Sequence, residues 1–429
     1  MEYKGIEYLR RQLAARQLRV LTRYRCYDMK RTFDAVGSII PAQFNAMKPV
    51  LGWCELAVDK LADRLVFEGF SGDDFYMDEI FSMNNQDIFA DAAIKDALIG
   101  SCSFVYISAG ENGYPRLQCI DGANATGILD PITNLLTEGY AVLEREEPLT
   151  AEGVPPSTAN PKTEAYFTAE ATYIYRSGKL ADTYDNPAGY ALLVPMIYKP
   201  SAKRPFGHSR ITRACMALMD SAARTLWRSE IAAEFYSFPQ KYVLGLQGNA
   251  KMNRDSGNAK MNKDSGEAFD RWGLTIASFI RFDSDKNGNH PVVGQFQQQS
   301  MLPYTEQLKM FASAFAGETS LTLDDLGFST ANPSTAEAIK AAHENLRLTA
   351  KAAQRSFGTG FINAGFIAAC LRDGQAYDRY AVRNARAEWL PIFSVEPSEL
   401  GALGDAVGKL SQAFPDYFTE DKLHRLTGL

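Results

Sequence analysis

The sequence predicts an α+β fold with a few long helices and one region of short strands. Residues 209–238 and 334–372 repeat apolar side chains every three or four positions, which is the period of an amphipathic helix. Between 117 and 193 the period shifts towards two, and turn-forming residues separate the segments, as in a small β domain. A chain of 429 residues with 46% hydrophobic side chains is long enough for two or three such domains.

The N-terminal part predicts three helices followed by a strand. Residues 1–35 carry an apolar helical stripe and many basic side chains. This pattern leaves two interpretations open, a helix that contacts phosphate and a solvated or subunit-contacting helix, and the second is favoured. A helix over 41–69 and another over 81–98 follow, and a strand is predicted at 103–107.

The middle of the chain predicts strands, a long helix and an excursion. Short strands are expected at 141–144, 165–167 and 172–175, and Pro239 ends the helix over 209–238. The excursion that follows contains strand-like segments at 241–246, 274–282 and 291–296. It also contains a polar tandem repeat, 249–257 followed by 258–266, which is typical of a solvent-exposed insertion.

The long helix begins after an unusual loop. A helix starting near Pro303 is joined to it by residues 319–332, which is longer than most helix–helix connections and indicates a functional loop. Ser334 and Glu337 form a capping-box pattern at the start of the helix. If the helix is continuous to residue 372, it is about 55 to 60 Å long.

Glycine interrupts the apolar pattern of this long helix. Gly358 and Gly360 each cost about 1 kcal/mol relative to alanine and favour a kink. After the helix, residues 377–389 predict a strand that returns to the β domain. Two small helices around Pro415 are expected in the tail, 398–429.

Composition and motif searches argue against several enzyme classes. The chain has a net charge of −6, its six scattered cysteines predict reduced thiols, and its four histidines have no metal-ligand spacing. No phosphate-binding glycine loop or nucleophile motif occurs, so we expect no cofactor. Asp283, Asp285 and Gly288 match the first half of a calcium loop, but Gly294 replaces its closing glutamate, so a hairpin turn is favoured.

There is no signal-peptide pattern, and the longest apolar run is too short to span a bilayer.

Six segments together resemble the portal proteins of tailed bacteriophages of the siphovirus type, and the resemblance covers nearly the whole chain. Each segment alone is a weak signal, but their order and spacing are specific. The segments are 52–53, 58–65, 100–106, 204–211, 234–241 and 332–339.

The resemblance implies a portal-protein fold that assembles as a ring, usually a dodecamer. It implies long stem helices, a β-containing wing with a kinked inner helix, a small α/β clip, a tunnel loop and a crown. The implied ranges are 1–207 for the wing, 208–238 and 301–318 for the stem, 239–300 for the clip, 319–333 for the tunnel loop, 334–395 for the kinked wing helix and returning strand, and 396–429 for the crown.

The function implied by the resemblance is a channel at one capsid vertex, through which double-stranded DNA is packaged and ejected without sequence specificity. The implied partners are further copies of the chain, the terminase large subunit, the head–tail connector, and the major capsid and scaffold proteins. No membrane partner is expected, and the implied location is the virion, after assembly in the host cytoplasm.

The resemblance also selects candidate contact residues. Asp324 and Asp325 are expected to face the channel and to repel the DNA backbone, because phosphate-binding cations would hold DNA that has to slide. The remaining tunnel-loop candidates are Thr322, Ser329, Thr330 and Asn332, and the candidates for docking at the clip are Lys251, Arg254, Lys260 and Lys263.

Two alternatives stay open at this level. One is a metal-dependent enzyme that processes nucleic acid with Asp283, Asp285 and neighbouring carboxylates. The other is a capsid-associated adaptor that forms no channel. A nuclease assay and the subunit stoichiometry distinguish these alternatives from a portal.

Overall fold

The computed structural model describes residues 3–33, 42–110, 113–146, 160–237, 241–244, 253–254, 280–281, 292–295, 300–328, 340–393 and 397–413. It divides into two compact units, which are described separately. The first comprises Met1–Arg31, Val50–Met219 and Ala312–Leu429, and the second comprises Thr32–Pro49 and Asp220–Phe311. Helices and sheets occur together, so the predicted α+β class is confirmed.

The long helices occur close to the predicted positions. The α-helices of the described part are α1 (Ile6–Tyr27), α2 (Trp53–Ala62), α3 (Met77–Met83), α4 (Gln86–Gly100), α5 (Arg213–Ser237), α6 (Leu302–Thr319), α7 (Glu344–Asp373) and α8 (Pro397–Ala413). Short 3₁₀ helices lie at Ala42–Met47, Asp324–Leu326 and Arg379–Val382.

The strands of the described part form small antiparallel sheets. They are β1 (Phe67–Ser71), β2 (Cys102–Ser108), β3 (Arg116–Ile120), β4 (Ala125–Leu129), β5 (Leu136–Arg145), β6 (Pro161–Phe167), β7 (Ala171–Arg176), β8 (Lys179–Asp185), β9 (Leu193–Ile197), β10 (Lys241–Leu244), β11 (Asn253–Arg254), β12 (Ile280–Arg281), β13 (Val292–Gln295) and β14 (Arg386–Trp389). In the first unit β4 to β8 form a five-stranded meander, β2 lies between β3 and β9, and β1 pairs with β14. In the second unit β10 pairs with β13 and β11 with β12.

Helix α7 supplies much of the core of the first unit. Its side chains Phe357, Phe361 and Phe366 are fully buried. The ring of Phe361 stacks on Phe67 of β1 at 4.6 Å between centroids. The hydroxyl of Ser356 donates to a backbone carbonyl of β9 at 2.6 Å. At 30 residues the helix is about 45 Å long.

The glycines of α7 allow neighbouring elements to pack closely against the helix backbone. The helix continues unbroken through Gly358 and Gly360. A Cβ on Gly360 would collide with Met196 of β9, and a Cβ on Gly365 would lie 2.7 Å from the sulfur of Met77 on α3. These positions therefore lack a side chain because neighbouring elements approach the helix backbone there.

Several predicted boundaries are corrected by long-range packing. The helix expected over 41–69 is divided into a 3₁₀ helix, α2 and strand β1. The helix expected over 81–98 becomes α3 and α4, because Asn85 takes a left-handed φ of 53° between them. The strand expected over 377–389 is shorter, and it pairs with β1 rather than with the β domain.

The arginines of α1 are divided between two faces. The guanidinium of Arg10 donates to Glu164 of β6 at 2.6 and 3.1 Å, and Arg16 donates to Thr126 of β4. Arg23 donates to the Gly100 carbonyl at 3.3 Å. Three of the six arginines of α1 therefore bind protein groups within their own unit.

A half-buried polar cluster lies where α1, α4 and β3 meet. The carboxylate of Asp96 accepts from the Tyr24 hydroxyl at 2.9 Å and from the Cys119 thiol at 3.8 Å. Burial raises the pKa of Asp96 to about 6, although its hydrogen bonds oppose that rise. Burial and the neighbouring Asp96 carboxylate also raise the pKa of the Cys119 thiol.

The cysteines are free thiols, as the sequence predicts. Five of the six are buried. In the second unit the ring of Trp227 packs edge-on against Phe33 at 5.6 Å and donates to the Phe44 carbonyl at 2.9 Å. No helix within the described ranges is both long and apolar enough to cross a bilayer.

Candidate functional site

The connection between α6 and α7 is described over residues 320–328, which we call the anchored loop. Ser320 and Gly327 take positive φ values of 56° and 84°, and they turn the chain at the two ends of the loop. The side chains of Leu321 and Leu326 are buried. The apolar side chains of the loop therefore point into protein and hold its backbone against the first unit.

A reciprocal pair of hydrogen bonds shapes the centre of the anchored loop. The Thr322 hydroxyl accepts from the backbone N–H of Asp325 at 3.2 Å. The Asp325 carboxylate accepts from the backbone N–H of Thr322 at 2.9 Å and from its hydroxyl at 2.9 Å. This is a capping box with aspartate in the acidic position, and it starts the 3₁₀ turn that follows.

The two acidic residues of the loop have different surroundings. The side chain of Asp325 is only 12% exposed, and its oxygens lie 3.9 Å from Lys60 and 3.8 Å from His343. Asp324 is exposed. The structure thus corrects the expectation of an open, channel-facing carboxylate for Asp325, because its oxygens are engaged by the loop itself.

Helix α2 is the platform on which the loop rests. The ring of Trp53 packs against Phe315 of α6 at 5.4 Å and against Phe328 of the loop at 6.4 Å. Two turns further along, Lys60 approaches the carboxylate of Asp325. These positions share one side of the helix because they are seven residues apart.

A buried arginine ties this platform to two further elements. Arg210 is 5% exposed, and its guanidinium donates to the carbonyl of Ala57 in α2 at 3.0 Å and to the carbonyl of Thr319 at the end of α6. Its backbone N–H donates to the Leu98 carbonyl of α4 at 2.8 Å. A cation at the C-terminal end of a helix is favoured by the helix dipole.

A second anchor lies at the start of α7. His343 precedes the helix, and its ring lies 6.1 Å from the ring of Phe393. The guanidinium of Arg64 covers the same Phe393 ring at 4.2 Å. The ring atom Nδ1 of His343 is buried and has no hydrogen-bond partner among the described residues. The loop and the start of α7 are thus held by neighbouring contacts.

Most of the remaining candidate residues lie outside the part of the chain that the structure describes. Outside the described residues lie the candidates for the predicted tunnel loop (Ser329, Thr330 and Asn332), the repeat residues Lys251, Lys260 and Lys263, and the predicted capping box at Ser334 and Glu337. So do Asp283 and Asp285. The backbone of Arg254 lies in strand β11.

The described residues contain no group of three or more histidine, cysteine, aspartate or glutamate side chains that could hold a metal ion. Two open clefts, of about 460 and 450 Å³, lie beside α1 and α7, and neither is lined by an acidic residue. These two clefts therefore offer no carboxylate pair for acid–base or metal-assisted chemistry.

Sequence reasoning missed the anchors of the loop. Thr322 and Asp325 have the spacing of a capping box, so the local pattern was readable. Arg210 lies within one of the segments that carry the family resemblance, but its partners are more than one hundred residues away in the chain. Those long-range contacts have no local sequence signal.

Comparison with curated proteins decides the relationship. The chain is 26% identical over 364 residues to the portal protein of Mycobacterium phage L5, a match that covers 81% of this chain and 70% of the relative. The portal protein of Mycobacterium phage D29 matches with the same identity and coverage. The chain is homologous to phage portal proteins. The resemblance inferred from the six segments is thus confirmed. No protein-family model matches the chain.

Two solved structures of a gene transfer agent particle are also similar to this chain. One is described as the virion of a native gene transfer agent particle, with a TM-score of 0.44 and 11% identity, covering 95% of this chain and 99% of the other. Another is described as the neck of that particle computed with C12 symmetry, with a TM-score of 0.43 and 11% identity, covering 88% and 89%.

Proposed function

We propose that the chain is the portal subunit of a tailed bacteriophage, a structural protein that forms the channel for double-stranded DNA at one capsid vertex. The observation that carries this proposal is the match to two portal proteins across 81% of the chain. The order of long helices, β domain and connecting loop agrees with what the resemblance implies.

The domain assignment is part of the proposal. The first unit contains most of the segments assigned to the wing, and the second unit contains the whole segment assigned to the clip. Helices α5 and α6 correspond to the proposed stem, the anchored loop to the first part of the tunnel loop, α7 to the wing helix, and α8 to the crown.

The charge and the fixed shape of the anchored loop support the proposed channel. Its exposed carboxylate is Asp324, which would present negative charge to DNA phosphates and would not retain them. Asp325 instead holds the shape of the loop through Thr322. A loop of fixed shape with one repelling charge suits a channel in which the duplex has to slide.

The proposed assembly is a homo-oligomeric ring, with a dodecamer as the expected number. The proposed partners are the terminase large subunit, which would dock on the clip, then the head–tail connector, and the capsid and scaffold proteins. The proposed location is the portal vertex of the virion.

Negative-stain electron microscopy of the purified full chain, together with its mass in solution, tests the proposal. Closed rings with a central opening wide enough for duplex DNA are the expected result. A protein that forms compact dimers, or chains that never close, would contradict the portal assignment.

The charge on the loop is tested separately in a packaging assay with assembled capsids. We expect Asp324→Lys to slow packaging, because it places a phosphate-binding cation on the loop. Asp324→Asn serves as the matched control and should package at nearly the native rate. Equal rates for the Lys and Asn variants would refute a DNA-facing position for this residue.

A further inference from the structure

The outer face of α1 combines arginine with an exposed leucine. Residues 8–27 contain six arginines and no acidic residue. Arg10, Arg16 and Arg23 bind protein partners within the first unit. Arg11 and Arg25 are exposed, and Leu18 between them is 72% exposed. No described residue hydrogen-bonds to or pairs with the guanidinium of Arg11 or Arg25.

These outer residues form one continuous stripe. Arg11, Leu18 and Arg25 are seven residues apart, so they lie along one line of the helix. That line is opposite the buried face, which carries Leu9 and Leu13. Small and short side chains at 14, 15 and 22 flank the stripe and leave its centre open to close approach. We call this stripe the basic face.

A surface of opposite charge lies on α3 and α4 of the same unit. Residues 65–94 contain seven acidic side chains and no lysine or arginine. Five exposed residues of this surface define what we call the acidic face: Tyr76, Glu79, Met83, Asp87 and Ile88. Tyr76, Met83 and Ile88 are 64%, 60% and 75% exposed.

The acidic face is fixed by local contacts. The carboxylate of Asp73 caps the start of α3 by accepting from the backbone N–H groups of Phe75, at 2.9 Å, and of Met77. The side chain of Gln86 at the start of α4 donates to the Glu68 carbonyl at 2.7 Å. The two helices are therefore held before any partner arrives, which lowers the entropic cost of binding.

We infer that the basic face of one copy docks on the acidic face of the next copy in a head-to-tail contact between subunits. An apolar centre surrounded by charge is the anatomy of a protein interface, and opposite charge supplies the register. Each face would repel a second copy of itself, so a two-fold symmetric contact is disfavoured. A contact between two different faces forms rings when the rotation closes.

A basic face could also bind the phosphates of duplex DNA. The position of Leu18 argues against that occupant, because an apolar side chain at the centre of the stripe gains little from a phosphate backbone. The acidic face gives it both a charge partner and apolar contacts in Met83 and Ile88. The inference rests on the proposed ring assembly and names the surfaces that would build it.

Charge reversal on each face tests the inference in the full chain. The basic-face variant is Arg11→Glu/Arg25→Glu, and the acidic-face variant is Glu79→Lys/Asp87→Lys. All four residues are exposed, although Glu79 accepts from the Tyr114 hydroxyl at 3.2 Å, and circular dichroism checks that each variant is folded. Lys179→Glu on β8 is the control, because it reverses an exposed charge outside both faces.

We expect each variant alone to raise the concentration needed for assembly by about tenfold or more, as measured by sedimentation velocity. Combining both sets in one chain should restore assembly, since the reversed faces are again complementary. An equimolar mixture of the two variants should also assemble. High salt should weaken the wild-type contact.

The outcomes separate this inference from the portal assignment. Rings that persist in both variants overturn the inference and leave the portal assignment intact. Assembly that depends on both faces but gives open chains overturns the portal assignment and supports the contact. Loss of duplex DNA binding in the basic-face variant with unchanged assembly would assign that face to DNA. A wild-type chain that stays monomeric at all concentrations also overturns the inference.

Discussion

Replacing Gly365 with alanine tests whether the glycines of α7 serve packing. In a helix this change normally stabilises, because alanine is favoured over glycine by about 1 kcal/mol. Here the new Cβ would lie 2.7 Å from the sulfur of Met77 and 3.0 Å from its Cβ and Cγ. Carbon atoms in contact prefer about 3.5 to 4.0 Å. The packing and the helix propensity therefore act in opposite directions.

The structure shows which effect is larger. Met77 is fully buried, and its Cβ is attached to a backbone that the Asp73 carboxylate holds at the start of α3. A rotation of the side chain cannot move that Cβ away, so α3 and α7 have to separate. Overpacking of this kind costs about 1 to 3 kcal/mol. We expect Gly365→Ala to lose about 1 to 2 kcal/mol of unfolding free energy after the gain in propensity.

Urea unfolding followed by tryptophan fluorescence measures the change. Gly317→Ala in α6 is the matched control, since no heavy atom lies within 4 Å of its added Cβ, and it should gain up to about 1 kcal/mol. Gly365→Ala should cost less when Met77 is already glycine, which has no Cβ at the contact, and this gives a coupling free energy of about 1 kcal/mol. A Gly365→Ala variant at least as stable as wild type, with an unchanged m-value, would refute the packing explanation.

Further predictions concern the buried polar contacts. The rise in the pKa of Asp96 from 3.8 to about 6 favours its protonated form in the folded state, so stability falls as pH rises through that window. Asp96→Asn should therefore add up to about 3 kcal/mol at pH 8 and almost nothing near pH 4, as measured by urea unfolding. Arg10→Met should lose about 3 kcal/mol of unfolding free energy, because it leaves the carboxylate of Glu164, which is 6% exposed, without its ion pair. The double variant with Glu164→Gln should lose less. Equal losses for the single and double variants would contradict the pairing. Asp325→Asn should destabilise the loop by about 1 kcal/mol and increase its proteolysis, whereas Asp324→Asn should leave both unchanged; the reverse order would refute the capping role.

Sequence patterns predicted the helices and strands that are determined mainly by their own residues. Helices α5 and α6, the C-terminal end of α7 and strand β2 have long periodic patterns or clear turn boundaries, and they occur within a few residues of the expected positions. Strand β1 could not be found in this way, since its partner β14 lies more than three hundred residues away. An apolar run such as 65–70 has no local feature that distinguishes a helix end from a strand.

The same distinction applies to the candidate site. Sequence reasoning located the loop by its length and by its two acidic residues, but it gave both residues one role. The difference between Asp324 and Asp325 depends on the hydroxyl of Thr322, three residues before Asp325, and that spacing was a readable signal. The contributions of Trp53 and Arg210 depend on tertiary contacts and require the structure.

Arg210 also determines how the anchored loop would respond to an applied force. Its guanidinium joins the end of α6, where the anchored loop begins, to α2, which carries the ring that packs on the other end of that loop. Both ends of the loop are thus tied to α2, one through a buried cation and one through an aromatic contact. A force on the loop would be transmitted to the packed core of the first unit rather than absorbed by bending of the loop. Because packed cores resist continuous deformation, the loop should move together with the helices that hold it.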